Sequence, residues 1–516
     1  MKVVVAGGGT AGWFTALFAR QCLPDAEVTL IESEEVGILG AGEGTTPQII
    51  QALTFLQIPI RDLIIQAEAT IKHSILFSNW QGDGQSYSHG FQARQDLSFL
   101  PPEGSPMSFI NATTDDSFMY QKHFDDPYEA SVITMLLSTM KKSPFVERPV
   151  DLSTIQDPLH MFDKVCNFAL HFNARQLAEF LKLVGTHRGV VRVEGKISQI
   201  NSDETGDITS LVLEDGKKID CDFVFDCSGF QHLIIGKHFK SEWRSFKDFL
   251  PADRALAYFK PQRSNIPAFT EAVAMKNGWS WQIPLQTRFG SGYVYSSAYT
   301  DEDEVVAEIE EREGEGVEIT WGKSFKFEPG YYKDVWIRNC VAVGLSTGFL
   351  EPLEATSLMQ TFVHLENIFS LRMNLLEVPK REKELISKRY ASATEEIAQF
   401  LYLHYFTARE DTEFWKQFNY SAPNMPELIS EILGISKYRQ LVFADMQQMA
   451  LAQFSVASWV TIIDGNGLIS KQQYAEMYAN RHFDRTQDYF SLRRNVSIEG
   501  QKCLNHSVFL SMMRRS

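Results

Sequence analysis

The chain predicts an α/β fold: a Rossmann-like nucleotide-binding domain, organised as in glutathione reductases and monooxygenases, with a β-rich substrate region and a helical C-terminal module. Three observations predict it. Residues 2–6 are a short apolar run that meets glycines at once; residues 27–32, Glu-Val-Thr-Leu-Ile-Glu, are a second run ending in an acid; and from about residue 355 the pattern turns helical.

The first two runs enclose a glycine turn at 7–12 and a helical pattern over 13–21, a βαβ opening. Gly7 suits the tight turn, Gly9 the close approach of backbone to a pyrophosphate and Gly12 the packing of helix on strand, while the helix N-terminus faces the phosphates. Glu32 follows at about the 20-residue distance at which an acid reads ribose hydroxyls. The plain alternative is a glycine turn without a ligand. Strand before, helix after and acid at that distance argue for the nucleotide.

Lys196–Leu213 and Lys218–Cys227 alternate as meander strands with an Asp-Glu-Thr-Gly turn at 203–206, and the last strand runs into Asp226-Cys227-Ser228-Gly229-Phe230. A strand entering a small-residue turn suggests a return to the first sheet. The nucleotide domain is therefore expected to be discontinuous over 1–355, closed by segments near 220–230 and 335–350, with substrate-facing strands inserted. Leu358, Phe362, Leu365 and Phe369 share one helical face and open a mainly helical module over 356–516. Gly278–Leu285, reading Gly-Trp-Ser-Trp-Gln-Ile-Pro-Leu, is expected as an aromatic turn.

At 516 residues the chain exceeds one ordinary core, so two or three modules are expected. A net charge of −16 disfavours a nucleic-acid partner, because phosphodiester affinity rests on basic patches. The N-terminal apolar run is too short for a secretory segment and no stretch reaches membrane-spanning length, so a cytoplasmic protein without a membrane partner is expected. The six cysteines, at 22, 166, 221, 227, 340 and 503, form no C-x-x-C pair, and no metal is expected. Cys227 reads as a packing residue rather than a redox one. Homo-oligomerisation is left open.

Seven separated stretches carry a resemblance. They are Gly7-Gly8-Gly9-Thr10-Ala11-Gly12-Trp13, Gly42-Glu43-Gly44-Thr45-Thr46-Pro47, Ala69-Thr70-Ile71-Lys72, His171-Phe172-Asn173-Ala174, Asp226-Cys227-Ser228-Gly229-Phe230, Trp279-x-Trp281-x-Ile283-Pro284 and Gly348-Phe349-Leu350-Glu351-Pro352-Leu353-Glu354. In this order they resemble the flavin-dependent halogenases of the tryptophan-halogenase type, which act on free aromatic substrates. The resemblance spans nearly the whole chain. It implies FAD, used as FADH2, with a halide ion as co-substrate, and hypohalous acid that crosses a tunnel from the flavin to a separate substrate pocket. It places Gly7 to Gly12, that is Gly7, Gly8, Gly9, Thr10, Ala11 and Gly12, at the pyrophosphate, and Glu32 and Ser33 near the ribose. Glu43 and Gly44 fall in a loop covering the flavin, Val190 near the adenine, and Leu345 and Leu358 beside the isoalloxazine.

By the same resemblance Lys72 directs the halogen, by hydrogen-bonding hypohalous acid or as a haloamine. An ammonium with three donors can polarise the oxygen as halogen is delivered. A surface lysine in a salt bridge is the bland alternative, and apolar Ile75, Leu76 and Phe77 suggest partial burial instead. Glu354, near Lys72 in the family, stabilises the arenium cation and takes its proton; a helix starting at about Ala355 would hold it ionised. Glu351 is a decoy, excluded by register. Backbone amides of Thr356 and Ser357 form the halide site. His89, Phe91, Trp279, Trp281 and Phe454 face the substrate, and stacking surfaces there would fix a flat ring against the oxidant. The two tryptophans also read well as core.

The chain departs from the pattern in two places. Tryptophan halogenases continue Glu-Ser-Thr-Gly where this chain has Glu354-Ala355-Thr356-Ser357, so a preference for bromide or a larger halide over chloride is expected. The Tyr-Tyr pair and following Glu that hold the amino-acid end of tryptophan are missing, and unpaired charges would be costly to bury, which favours indole or another electron-rich small aromatic. No second dinucleotide fingerprint is present, which implies a separate flavin reductase. Rival readings are an aromatic monooxygenase, a halogenase of carrier-tethered substrates, and a non-catalytic flavin-binding scaffold or redox sensor.

Overall fold

Val3, Val4, Val5 and Ala6 are buried because the strand Lys2–Ala6 pairs in parallel on both sides, with Glu27–Glu32 and with Phe223–Asp226. A strand covered on both faces needs such an uninterrupted apolar run. Val191–Glu194 extends the sheet beyond Glu27–Glu32, and Cys340–Ala342 extends it in parallel beyond Phe223–Asp226 before the short antiparallel Trp336–Ile337 completes six strands. The structure is a computed structural model describing residues 1–35, 43–91, 133–148, 158–262, 265–371, 374–439, 441, 443–470, 473, 497–498 and 500–515.

The first helix is Thr10–Cys22, and it begins three residues ahead of the apolar pattern because Gly9, in extended conformation, serves as its N-cap. Ile197–Ser202, Ile208–Leu213 and Lys218–Asp220 form the expected antiparallel meander as a separate three-stranded sheet. Phe14 packs edge-on against Phe362 at 4.9 Å, and Phe18 stacks with Phe369 at 6.4 Å. These contacts draw the helix Thr356–Phe369 into the nucleotide unit.

Two compact units result: 1–68 with 172–247 and 327–395, and 69–171 with 248–326 and 396–516. The division therefore differs from a cut between residues 355 and 356. The helical face that opens at Leu358 packs on the first helix, and the strands inserted before it gather with the C-terminal helices instead.

The second unit is built on a seven-stranded sheet. From one edge to the other it runs Thr320–Lys326, Arg254–Pro261, Arg288–Tyr295, Gly278–Pro284, Phe269–Met275, Ser74–Ser78 and Ser86–Gly90. Gly278–Pro284 is thus a central strand, not a turn, and all seven of its residues are buried. Two glycines make this packing feasible. At Gly278, with φ +154°, a Cβ would lie 2.0 Å from the Val294 carbonyl oxygen, and at Gly292, opposite Trp281, a Cβ would lie 2.1 Å from the indole ring. The ring therefore lies across the neighbouring strand. Around the helices of this unit Tyr405, Phe414, Trp415 and Phe418 form a continuous aromatic cluster. Among the described residues no single helix is long and apolar enough to cross a membrane.

Candidate active site

The glycine turn is shaped by what a side chain would strike. Gly7 has φ +127° and a Cβ on it would sit 2.1 Å from the Cys227 carbonyl oxygen, while a Cβ on Gly12 would sit 1.9 Å from the Gly7 carbonyl oxygen. On Gly8 it would meet the Glu32 carboxylate at 1.8 Å. Gly9 is different: among the described residues no atom beyond its chain neighbours lies within 4 Å of its added Cβ. The first helix has neither a side-chain cap nor an acid in its first turn, so its N–H groups and positive dipole end are offered to an anion. A pyrophosphate fits this cradle, and FAD is the cofactor these residues would hold.

Glu32 accepts a hydrogen bond from Trp13 Nε1 at 3.2 Å, lies 3.7 Å from Lys182 and is ion-paired with Arg192. A carboxylate has about four lone-pair sites, so capacity remains for a ribose diol. Ser33 follows it, half-buried. Val190 is buried and donates its N–H to Gly185. Leu345 sits in the turn Gly344–Ser346, and an added Cβ on Gly344 would lie 2.6 Å from Ala11 Cβ, which places that turn against the start of the first helix. Glu43 and Gly44 form a two-residue strand in the same unit, and burial lifts the Glu43 carboxyl to about 7. Gly42 lies outside the described residues.

Cys227 is buried against the Thr15 hydroxyl and burial pushes its thiol far above the ordinary range, as a packing residue requires. Asp226 explains its motif structurally. Its carboxylate accepts from Ser228 N–H and hydroxyl and from the N–H groups of Ile234 and Ile235, closing the turn after the strand.

Glu354 is buried immediately before Ala355, the N-cap of Thr356–Phe369, whose φ of 56° lies in the left-handed region. That helix also lacks a side-chain cap and a first-turn acid, so the amides beginning at Thr356, Ser357 and Leu358 retain anion-binding character. Thr356 and Leu358 are buried and Ser357 is half-buried. Glu351 is buried as well, so burial does not separate it from Glu354.

In the second unit Lys72 is completely buried, more than the partial burial its neighbours suggested. It ends the strand Thr70–Lys72, which pairs with Ala169–Phe172 in antiparallel register. The Thr70 hydroxyl donates to the Pro284 carbonyl at 2.7 Å, so it accepts from His171 Nδ1 at 3.0 Å, and in the neutral ring His171 Nε2 accepts from the Thr270 hydroxyl at 2.9 Å. The contacts accommodate a neutral His171 protonated on Nδ1. Burial first, and then the Lys72 charge, hold its pKa well below the ordinary value. Three motifs thus converge through Thr70: the lysine strand, the His171 strand and the proline that ends Trp279-x-Trp281-x-Ile283-Pro284. The Lys72 ammonium lies 5.3 Å from the Phe91 ring centre.

Strand register places the aromatic residues. Trp281, Ala272, Phe77 and Tyr87 form one cross-strand row, and His89, two residues beyond Tyr87, shares their face with Trp279. Trp279 and Trp281 lie 6.1 Å apart, centre to centre. His89 and Phe454 both pack on Phe400, at 6.0 and 3.8 Å, and Phe454 is stacked on it. Motif reading missed Phe400, Glu396 and His506. Glu396 holds the loop before Phe454 by accepting from the N–H groups of Ala452, Gln453 and Phe454. Among the described residues no group of three or more His, Cys, Asp or Glu is placed to hold a metal ion.

The family model described as tryptophan halogenase matches residues 2–481. The tryptophan 7-halogenase RebH of Lentzea aerocolonigenes is 32% identical over 439 residues, covering 80% of this chain and 78% of its own. The tryptophan 6-halogenase SttH of Streptomyces toxytricini is 30% identical over 447 residues, covering 83% and 82%. A solved flavin-dependent halogenase from Xanthomonas campestris superposes with a TM-score of 0.83 at 28% identity, covering 99% of this chain and 97% of that one. With a nucleotide cradle, a buried lysine strand and a family match over nearly its full length, the chain belongs to the tryptophan halogenase family and is a flavin-dependent halogenase.

Proposed function

We propose that the protein halogenates a small electron-rich aromatic of the indole type, with Lys72 delivering the halogen and Glu354 removing the displaced ring proton. Bound reduced flavin and O2 supply the oxidising equivalents that turn halide into hypohalous acid. The Lys72 ammonium donates to the oxygen of that acid; ring electrons form the new carbon–halogen bond as the oxygen–halogen bond breaks, and the oxygen leaves as water with the lysine proton. Glu354, ionised at a helix N-terminus, takes the ring proton and restores aromaticity.

The observation that carries this reading is the complete burial of Lys72 above Phe91, in a strand tied to Pro284 of the tryptophan motif. A buried ammonium is costly, and a site that spends that cost on delivery uses it where water is excluded. Phe454 stacked on Phe400 offers an apolar surface, and the Tyr-Tyr pair and following Glu that would hold an amino-acid end are missing from the sequence, which supports indole over tryptophan. The Cβ that Ser357 adds where the family pattern has glycine changes the volume beside the halide-binding amides, and bromide surrenders its water more cheaply than chloride. A separate reductase supplies the flavin in reduced form.

The test is incubation with a flavin reductase, FAD, equal bromide and chloride, and a panel of indoles and phenols, read by mass spectrometry. Brominated indole should predominate. Chlorinated product in excess would sink the halide assignment, and a hydroxylated product independent of halide would replace halogenation by monooxygenation.

A further inference from the structure

Among the described residues the strand Thr70–Lys72 has a partner strand on one side only at Ile71, and its other edge is closed by a side chain. Ile71 N–H donates to His506 Nε2 at 3.0 Å, in place of the carbonyl a neighbouring strand would offer. An imidazole nitrogen that accepts must be unprotonated, so the proton of His506 is on Nδ1, which donates to the Ile266 carbonyl at 3.1 Å. His506 opens the helix His506–Arg515, outside the residues matched by the family model. The segment leading into it is docked on residues 141–145: His506 N–H donates to Lys141 O, Ser143 N–H to Leu504 O, and Leu504 N–H to Phe145 O. Phe509 stacks on Phe145 at 4.7 Å.

The same assembly reaches the residue on the other side of Lys72. His73 Nε2–H donates to the Lys142 carbonyl at 3.0 Å, and His73 is fully buried. The lysine is thus bracketed at positions 71 and 73 by two segments docked on each other, the C-terminal one through His506 and residues 141–145 through Lys142. Bracketing matters because a one-residue slip of a strand turns every side chain to the opposite face.

We propose that His506 is a positioning residue: its neutral imidazole clamps the open edge of the lysine strand, so that the C-terminal helix holds Lys72 in register for halogen delivery. The inference rests on the delivering role assigned to Lys72. Burial keeps His506 neutral, with its pKa lowered to about 4, so the acceptor persists throughout the neutral range.

The experiment compares His506→Ala, His506→Gln, Ser507→Ala and Lys72→Ala in the full chain with reductase, FAD and bromide, measuring aryl halide formed per O2 consumed. Ser507 controls for docking of the helix, since its hydroxyl accepts from Ile266 N–H without touching the lysine strand. In His506→Ala the coupling should fall about tenfold or more, with substrate KM within about twofold, as expected for a delivering group displaced by a fraction of an ångström. In His506→Gln, whose carbonyl can accept from Ile71 while its amide donates to Ile266, coupling should recover to within about threefold of the parent. If His506→Ala does not fold, His506→Asn, too short to reach Ile71, takes its place. Unchanged coupling in the alanine or asparagine variant, no rescue by glutamine, or an equal loss in Ser507→Ala overturns the proposal. Full coupling in Lys72→Ala would instead overturn the role of the lysine itself, whereas an inactive Lys72→Ala beside an unaffected His506→Ala removes only the clamp.

Discussion

The ammonium of Lys72 lies 5.3 Å from the centre of the Phe91 ring, and Phe91 is itself fixed by donating its N–H to the His73 carbonyl at 3.2 Å. A cation over a ring face at a desolvated site gains about 2 kcal/mol. The ring therefore both favours the charged lysine and limits where its head group can rest.

Lys72→Ala should abolish aryl halide while flavin oxidation continues. Phe91→Leu keeps the apolar volume and removes the ring face, so halogenation should fall about tenfold, the equivalent of about 1.4 kcal/mol, with FAD affinity unchanged. Steady-state product formation beside O2 consumption separates these outcomes. An unimpaired Phe91→Leu enzyme would show that the ring is packing only.

Much of this was legible from local pattern. The strand at 2–6, the glycine turn and the acid at Glu32 are a contiguous signature, because the chain must turn tightly and then present a helix end within a few residues. The tryptophan stretch misled for a physical reason. Gly278 and Pro284 at its ends look like turn residues, yet the glycine is needed where a Cβ would strike Val294 and the proline closes a strand buried on both faces. Burial on both faces removes the polar alternation that marks a half-exposed strand. His506 carries no local signal at all: its partner Ile71 is 435 residues away, and only the folded chain brings a ring nitrogen to that strand edge.

Glu396 gives a second prediction. Its carboxylate takes three backbone amides from the loop 452–454 although burial raises its pKa. In Glu396→Gln one acceptor oxygen becomes a donor facing N–H groups, which should cost about 1–3 kcal/mol in stability. Because Phe454 ends that loop and stacks on Phe400, substrate KM should rise several-fold while kcat changes less. Thermal melts and indole saturation curves test the two halves separately.

Acid sensitivity follows from the buried histidines. His73 is lowered to about 3, His506 and His364 to about 4, and His171 well below its ordinary value, in each case chiefly by desolvation. The unfolded chain protonates these imidazoles near pH 6.5 while the native protein does not, so between about 6.5 and 4 the unfolded state binds more protons and native stability falls as pH falls. Glu43 acts oppositely, because its native carboxyl stays protonated up to about 7 and stability is lost as pH rises through that range. Glu396, whose carboxyl is also raised by burial, adds to Glu43, and four imidazoles outweigh these two carboxyls. The thermal midpoint should drop steadily from pH 6.5 to 4.5 at fixed ionic strength, and a flat profile would contradict neutral burial.

The glycine turn allows stability and cofactor affinity to be separated by single methyl groups. On Gly12 the added Cβ would sit 1.9 Å from a backbone oxygen, which cannot yield as a side chain could, so Gly12→Ala should lower the thermal midpoint of the flavin-free protein markedly. On Gly9 the same methyl meets no atom of the described residues beyond its chain neighbours within 4 Å and the residue already has extended backbone angles, φ −71° and ψ −178°, so the flavin-free protein should melt as before. That open space is where the first-turn amides are offered to the pyrophosphate, and a methyl group there holds the phosphate off. Gly9→Ala should therefore weaken FAD binding about tenfold or more, or about 1.4 kcal/mol, at unchanged stability, measured by fluorescence titration beside melting curves. Undiminished FAD affinity in Gly9→Ala would move the pyrophosphate away from this helix end.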